Sequence, residues 1–431
     1  MTLPPTAPVV LDPTGADRHD EHRRLRALGP AVRVDVLGVA AWSVTDPALL
    51  KRLLTSESVS KDARAHWPEF GEVVQSWPLA LWVAVENMFT AYGADHRRLR
   101  RLVAPAFSAR RIAALEQVVE TIVAGLLDDL DAHLSKQSGG SDGSGASRAS
   151  GASDEPVDLR EHLAYPLPIS VIGHLMGVPT GHRNAFRALV DGVFDTTLTA
   201  EQSTANTGRL YEALDQLIAA KRAEPGEDMT SLLITARDEE GDGSRLSDAE
   251  LRDTLLLMIS AGYETTVNVI DQAVTQLLTH PDQLDHIRSG RANWSDAVEE
   301  TLRHEPAVKH LPLRFALSDI SLPGGQVITK GEAILASYAA ANRHPDWHGE
   351  TADAFDLTRV PKDHLSFGHG IHFCLGAPLA RLEVVTALRM LFDRFPGIEL
   401  AVPVDELKPL ASLISNGHQT LPVRLTRPAV T

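Results

Sequence analysis

The chain has 431 residues, 43% hydrophobic and 23% charged, enough apolar material to bury a large core. Its 41 Lys and Arg against 57 Asp and Glu leave a net charge of −16, which argues against a general binder of nucleic acid or anionic membranes. No apolar run reaches the roughly eighteen residues of a membrane span. The first twenty residues lack the basic-then-apolar order of a signal peptide, so a cytoplasmic protein is expected. Cys374 is the only cysteine, which excludes an intramolecular disulfide and any CxxC metal or redox site.

In chain order, a short helical stretch from Asp17 to Leu28 precedes β-rich pieces at Ala31–Val36 and Ala41–Val44. Residues 61–92, with Trp67, Trp77 and Trp82 among prolines and glycines, read as a long irregular loop with short helical turns. Helical spacing runs from Asp95 to Leu134, broken at Pro105. Residues 135–155, SKQSGGSDGSGASRASGASDE, are too poor in apolar groups to fold and are expected to be a disordered loop inserted in a helical domain. Helical patterns resume from Leu159 to Ile218.

Ser247 and Glu250 then form a capping box that opens a helix expected from Asp248 to His280, roughly 50 Å long at 1.5 Å per residue. Its middle, Leu255 to Ala261, is apolar on nearly every side and should cross the core. Helices over Trp294–His304 and Ala377–Arg394 and β-rich stretches at Ile320–Ile328, Ala333–Ser337 and Thr420–Leu425 complete the pattern. The expectation is one domain over 1–431, mainly α with minor β, built around one long helix.

The lone cysteine sits in FGHGIHFCLG, residues 367–376. Gly368, Gly370 and Gly376 let the backbone approach something flat and large. A helix starting just after Cys374 points free amides and its dipole at the sulfur, which favours the thiolate and suits an axial metal ligand. A buried structural cysteine is the plain alternative, and a cysteine nucleophile would need a base that nothing in the sequence designates. A second group interrupts the long helix: Ala261-Gly262-Tyr263-Glu264-Thr265-Thr266. A buried acid and two hydroxyls there need partners, and Gly262 is expected to let the helix open locally. The alternative is a polar pair that merely kinks the helix.

The pattern Phe-Gly-x-Gly-x-His-x-Cys-x-Gly resembles the haem-ligand loop of the cytochrome P450 superfamily, and Ala-Gly-x-Glu-Thr-Thr resembles its oxygen-activation motif. The resemblance spans nearly the whole chain and is strongest to a bacterial, actinobacterial branch that includes steroid and macrolide hydroxylases. It implies the cytochrome P450 fold, with haem b buried between the long helix and the cysteine loop. It implies Cys374 as iron ligand, favouring O–O cleavage of bound dioxygen. Thr265 would hydrogen-bond that oxygen, and Glu264 would supply protons. His96, Arg100, Arg314 and His372 would clamp the two haem carboxylates. Glu300, Arg303 and Arg359 would form a buried structural ion cluster. The segment Asn342-Arg343-His344-Pro345 departs from the family, which usually carries Asp where His344 stands.

Without a flavin or iron–sulfur module in the chain, electrons would come from a ferredoxin and an NAD(P)H-dependent ferredoxin reductase. Arg97, Arg98, Arg101, Arg110 and Arg111 form a basic patch suited to an acidic donor. A peroxygenase or a non-catalytic haem sensor would leave Glu264-Thr265 unexplained. The distal wall is expected to include Trp82, Met88, Phe89, Val190, Phe194, Met258, Ala261, Val308, Leu413 and Ile414, of which Met88, Phe194, Ala261 and Val308 are the chosen contacts. Such a lining suits a bulky hydrophobic substrate, steroid or macrolide-like, with a terpene or aromatic polyketide as alternatives. No nucleic-acid or membrane partner is expected, and the protein should be a monomer.

Overall fold

The computed structural model describes residues 7–16, 18–138, 155–241 and 243–426. Helix α1 spans Arg18–Leu28. A six-stranded sheet is built from β1 (Val9–Val10), β2 (Ala31–Val36), β3 (Val39–Val44), β4 (Val59–Ser60), β5 (His310–Ala316) and β6 (Ala333–Ser337), in the order β1-β2-β3-β6-β5-β4. β2 and β3 form a hairpin, with Ala31 opposite Val44 and Val36 opposite Val39. β6 runs parallel to β3 and antiparallel to β5. The β5–β6 register shifts between Leu311 and Arg314, at Pro312, which has no N–H to give the ladder.

The helical part contains α2 (Gly93–Val103), α3 (Ala109–Ser138), α4 (Pro166–Met176), α5 (Arg183–Phe194), α6 (Ala200–Ala223), α7 (Asp248–Thr279), α8 (Trp294–His304) and α9 (Ala377–Arg394). The fold is 56% helical, so the mainly helical class with minor sheet holds. α7 is its axis and packs against α4, α5, α6, α8 and α9. Its capping box closes reciprocally: the Glu250 N–H donates to Ser247 Oγ at 3.1 Å, and the Ser247 N–H donates to Glu250 Oε2 at 2.8 Å. The helix ends at Thr279, and Pro281 opens the next one. Among the described residues, no helix is long and apolar enough to cross a membrane.

Four local expectations differ. The stretch from Leu159 to Ile218 is a π-turn, Arg160–Ala164, followed by α4, α5 and α6, since Pro166, Pro179 and the Thr199 capping box punctuate it. Ile320–Ile328 folds back on itself at Pro323-Gly324-Gly325, both glycines having positive φ, so it is a small hairpin. α3 continues to Ser138, four residues into the Gly/Ser tract, while the disorder expected for the rest falls on 139–154, outside the described residues. The helix α7 stays α-helical through Gly262, without the local opening expected there. A Cβ at Gly262 would stand 3.1 Å from Ile172 Cδ1, so glycine lets α7 and α4 pack closely.

Candidate active site

The cysteine loop leaves a 3-10 turn, Gly370–His372, and enters α9. Gly368 and Gly370 have φ of +72° and +73°, and a Cβ at Gly370 would meet the Leu54 carbonyl at 3.0 Å. Glycine is therefore required by conformation at both and by space at Gly370. The Cys374 N–H donates to the Phe367 carbonyl at 2.9 Å, which fixes the sulfur at the α9 N-terminus. Burial pushes the Cys374 thiol up, against the expectation of a lowered value. The Gly376 and Ala377 amides hydrogen-bond the sulfur and pull the other way, with help from Arg100 and Arg381. The accessible surface of Cys374 belongs to an interior cavity rather than to bulk solvent.

That cavity holds about 280 Å³ and is walled by the α7 midsection, the cysteine loop, residues 81–89 and the end of α5. Cys374, Thr265, Arg100, Arg314 and His372 all reach it, as do Met88, Phe194, Ala261 and Val308. Trp82, Phe89 and Met258 join them, whereas Val190, Leu413 and Ile414 lie in the core behind. Trp82 ties the wall together: its ring stands edge-on to Phe194 at 5.2 Å, and its Nε1 donates to the Val193 carbonyl at 3.3 Å.

The acid and the alcohol part company. Thr265 faces the cavity and donates its hydroxyl to the Ala261 carbonyl at 2.6 Å. Glu264 is not in that wall. It is buried and accepts a hydrogen bond from Asn268 Nδ2 at 2.9 Å. Burial pushes its carboxyl up to about 7, although Arg160 opposes this. Arg160 is fully buried and donates to Tyr165 Oη, Asn268 Oδ1 and Asp271 Oδ2. Asp271 also accepts from the His418 N–H at 2.7 Å and is held down at about 2, the pull of His418 and Arg160 outweighing burial. The sequence reading missed this network. Its signal was the polar run Asn268, Asp271 and Gln272 on a helix otherwise apolar and central.

Cations gather at one corner of the cavity. The His96 and His372 rings lie 4.2 Å apart, and His96 is buried with no hydrogen-bond partner on either ring nitrogen among the described residues. Arg314 Nη1 is likewise buried and unpartnered, while Arg100 donates to the Phe373 carbonyl at 2.8 Å. Burial, then neighbouring Arg100, lowers His96 to about 4, and burial with Arg314 depresses His372 further. Lys61, which the sequence reading did not single out, is buried here too, donating to the Pro312 carbonyl at 3.1 Å with its ammonium 3.7 Å from the Phe89 ring centre. The one carboxyl in the wall, Glu383, is pushed well up by burial and so favours its neutral form. A corner of orphaned donors without an ionised carboxylate fits a flat group bearing two carboxylates, as haem does.

Away from the cavity, Glu300 and Arg303 pair bidentately at 2.7 and 2.8 Å, with Arg359 Nε 3.4 Å from Glu300 Oε1. Arg303 also donates to the Ala352 and Ala354 carbonyls, locking the approach to the cysteine loop. The basic patch is smaller than expected. Arg98 pairs with Glu250 and so fastens α2 to the start of α7, while Arg101 grips Asp238, in the turn that precedes α7, at 2.6 and 2.8 Å. His344 caps the short helix Pro345–His348, its Nδ1 accepting from the Asp346 N–H at 3.2 Å.

Comparison with known proteins agrees. The cytochrome P450 family model matches residues 162–289 and 295–414. The chain is 43% identical over 421 residues, 97% of each protein, to 2-hydroxy-5-methyl-1-naphthoate 7-hydroxylase of Streptomyces carzinostaticus. It superimposes on CYP154A1 of Streptomyces coelicolor A3(2) with a TM-score of 0.88 and 69% identity, covering 96% of this chain and 99% of that one. Testosterone-bound CYP154C4 of Streptomyces sp. ATCC 11861 gives a TM-score of 0.89 at 37% identity, covering 98% and 99%. With matches spanning the sheet, the long helix and the cysteine loop, the chain belongs to the cytochrome P450 family, monooxygenases that carry haem on a cysteine thiolate.

Proposed function

We propose that the protein hydroxylates a bulky hydrophobic molecule, steroid or macrolide-like, with electrons from a ferredoxin and its NAD(P)H-dependent reductase: RH + O₂ + 2e⁻ + 2H⁺ → ROH + H₂O. The observation that carries this is the cavity itself, with Cys374 and Thr265 in the walls of one apolar chamber and a cationic corner beside them. We read residues 1–431 as a single domain around that chamber.

Haem bound there supplies dioxygen activation, with Cys374 as its ligand. The Gly376 and Ala377 amides stabilise the sulfur as thiolate once it is coordinated. Arg100, Arg314 and His372, with the His96 ring tilted against that of His372, would hold the two carboxylates by charge-assisted hydrogen bonds. Thr265 places a hydroxyl at the cavity face of α7, where its bond to the Ala261 carbonyl orients the lone pairs and the proton. Glu264, poised near neutrality, holds a proton next in sequence to Thr265, and its move toward the cavity delivers that proton. Met88, Phe194, Ala261 and Val308 exclude water and position an apolar substrate.

The substrate range of relatives supports this reading: one hydroxylates a naphthoate and another binds testosterone. The test is the carbon monoxide difference spectrum of reduced wild type beside Cys374→Ser, followed by a spin-state screen of steroids, macrolides and naphthoates. A thiolate-type Soret band lost in the variant is expected. No haem band, or one indifferent to Cys374, would overturn the proposal, and a response to naphthoates alone would replace its substrate class.

A further inference from the structure

On the far side of α1 from solvent, three ligand-bearing side chains meet. Glu21 and His22 are consecutive on α1, and His310 opens β5. All three are buried, and one donor atom of each lies within 4.8 Å of the other two. Glu21 Oε1 is 3.3 Å from His310 Nε2. Two ligands at the usual Zn–N and Zn–O lengths of about 2.0–2.1 Å, set tetrahedrally, stand about 3.3 Å apart. That separation therefore matches a coordination edge as well as a hydrogen bond.

The neighbours fix these donors in place. His310 Nδ1 lies 2.8 Å from Ser337 Oγ, itself 2.6 Å from Ser43 Oγ. The Asp12 N–H donates to Glu21 Oε2 at 2.8 Å. Oε1 and Nε2 are thereby left turned toward each other, with the outer atoms held as metal ligands usually are.

His22 is the observation that a simple Glu–His pair does not explain. It is 6% exposed, and neither ring nitrogen has a hydrogen-bond partner among the described residues. Its ring centre is 5.0 Å from that of His310. Leaving such a group unsatisfied is destabilising unless something binds it.

We propose that Glu21, His22 and His310 form a site for one divalent transition-metal ion of the zinc class, with water completing the coordination. His22 and His19 border a small cleft that offers a way in. Arg26 and Arg343 at that cleft are engaged by Asp353 and Glu305, so their repulsion of a cation is partly offset. Lys309 stands nearby with its ammonium donating to the Ser412 carbonyl at 2.6 Å. The site would tie α1 to the sheet, far from the cysteine loop in sequence and separate from the cavity residues.

The test uses the haem-loaded full chain, stripped with a chelator and titrated with zinc chloride against a chromogenic chelator. One zinc per chain is expected, weakened at least tenfold in Glu21→Gln and His22→Gln while the Soret band is kept. Anomalous diffraction at the zinc edge on wild-type crystals needs no variant. It should place a peak bounded by the three side chains. Absence of stoichiometric zinc, unchanged affinity in both variants, or a peak at other histidines would overturn the proposal.

Discussion

The Glu264 carboxylate is held by the Asn268 amide, 2.9 Å away and one turn along the same helix, while the adjacent Thr265 hydroxyl opens into the cavity. Acid and alcohol thus sit on different sides of α7, although they are neighbours in sequence. An α-helix rotates about 100° per residue, so adjacent side chains point in different directions. The proton-donor role proposed for Glu264 therefore requires its side chain to swing out of this network.

This arrangement predicts a pH signature. Glu264 titrates near 7 in the folded protein and near its ordinary 4.5 when unfolded. Between these values the folded state holds the extra proton, so stability falls as pH rises from about 4.5 to about 7. Glu264→Gln should abolish this fall, which is on the order of 3 kcal/mol. Urea unfolding of both proteins at pH 5 and pH 7.5 checks it; parallel pH dependence would refute the assignment. Turnover should also lose its inflection near pH 7 in the variant.

Thr265→Ala should leave substrate affinity within about twofold, because Thr265 is one small side chain in a wall made mostly of apolar ones. Product formed per NAD(P)H should drop sharply, with peroxide taking up the difference, as expected when a proton-handling group worth about 10²-fold or more is removed. Peroxide and product are assayed together in the reconstituted system. Unchanged coupling would take the role from Thr265.

Removing Arg303 as Arg303→Met leaves buried Glu300 with Arg359 and the Asp356 N–H, and takes the Arg303 donor from the Ala352 carbonyl. Breaking a buried pair of this kind costs about 3–5 kcal/mol. We expect a large drop in thermal midpoint together with haem loss. The double variant Glu300→Leu/Arg303→Met should recover part of the stability, which calorimetry can show.

Lys61→Met tests the cationic corner. Burial and the nearby Arg314 hold the Lys61 ammonium well below its ordinary pKa, so its charge is costly until an anion arrives. The variant should retain less haem per chain after gel filtration, measured as the Soret-to-protein absorbance ratio. Arg314→Met should lose more, since one of its buried nitrogens has no partner among the described residues, whereas the Lys61 ammonium already donates to the Pro312 carbonyl. Equal retention in all three would remove the corner from haem binding.

By itself, the order of residues determined the helical class, the long axis from Ser247 to Thr279, the cysteine loop and the charged clusters that accompany it. These are local or periodic signals: a capping box, an apolar helix middle, glycines spaced around one cysteine. Glu300 and Arg303 lie three apart on one helix face, but spacing alone fits a solvated surface pair, and it was the family resemblance that implied a buried one. Tertiary structure decided the rest. Lys61 carries no local signal in the sequence, and it is β5 and Phe89 that enclose it. Arg98 and Arg101 looked free until α2 met Glu250 and Asp238, more than a hundred residues away. The same holds for Cys374, whose pKa was read from the helix terminus alone. Burial is a sum over chain segments distant in sequence, and here it outweighed the local dipole. Partners and desolvation are set by which surfaces pack together, and no local pattern carries that information.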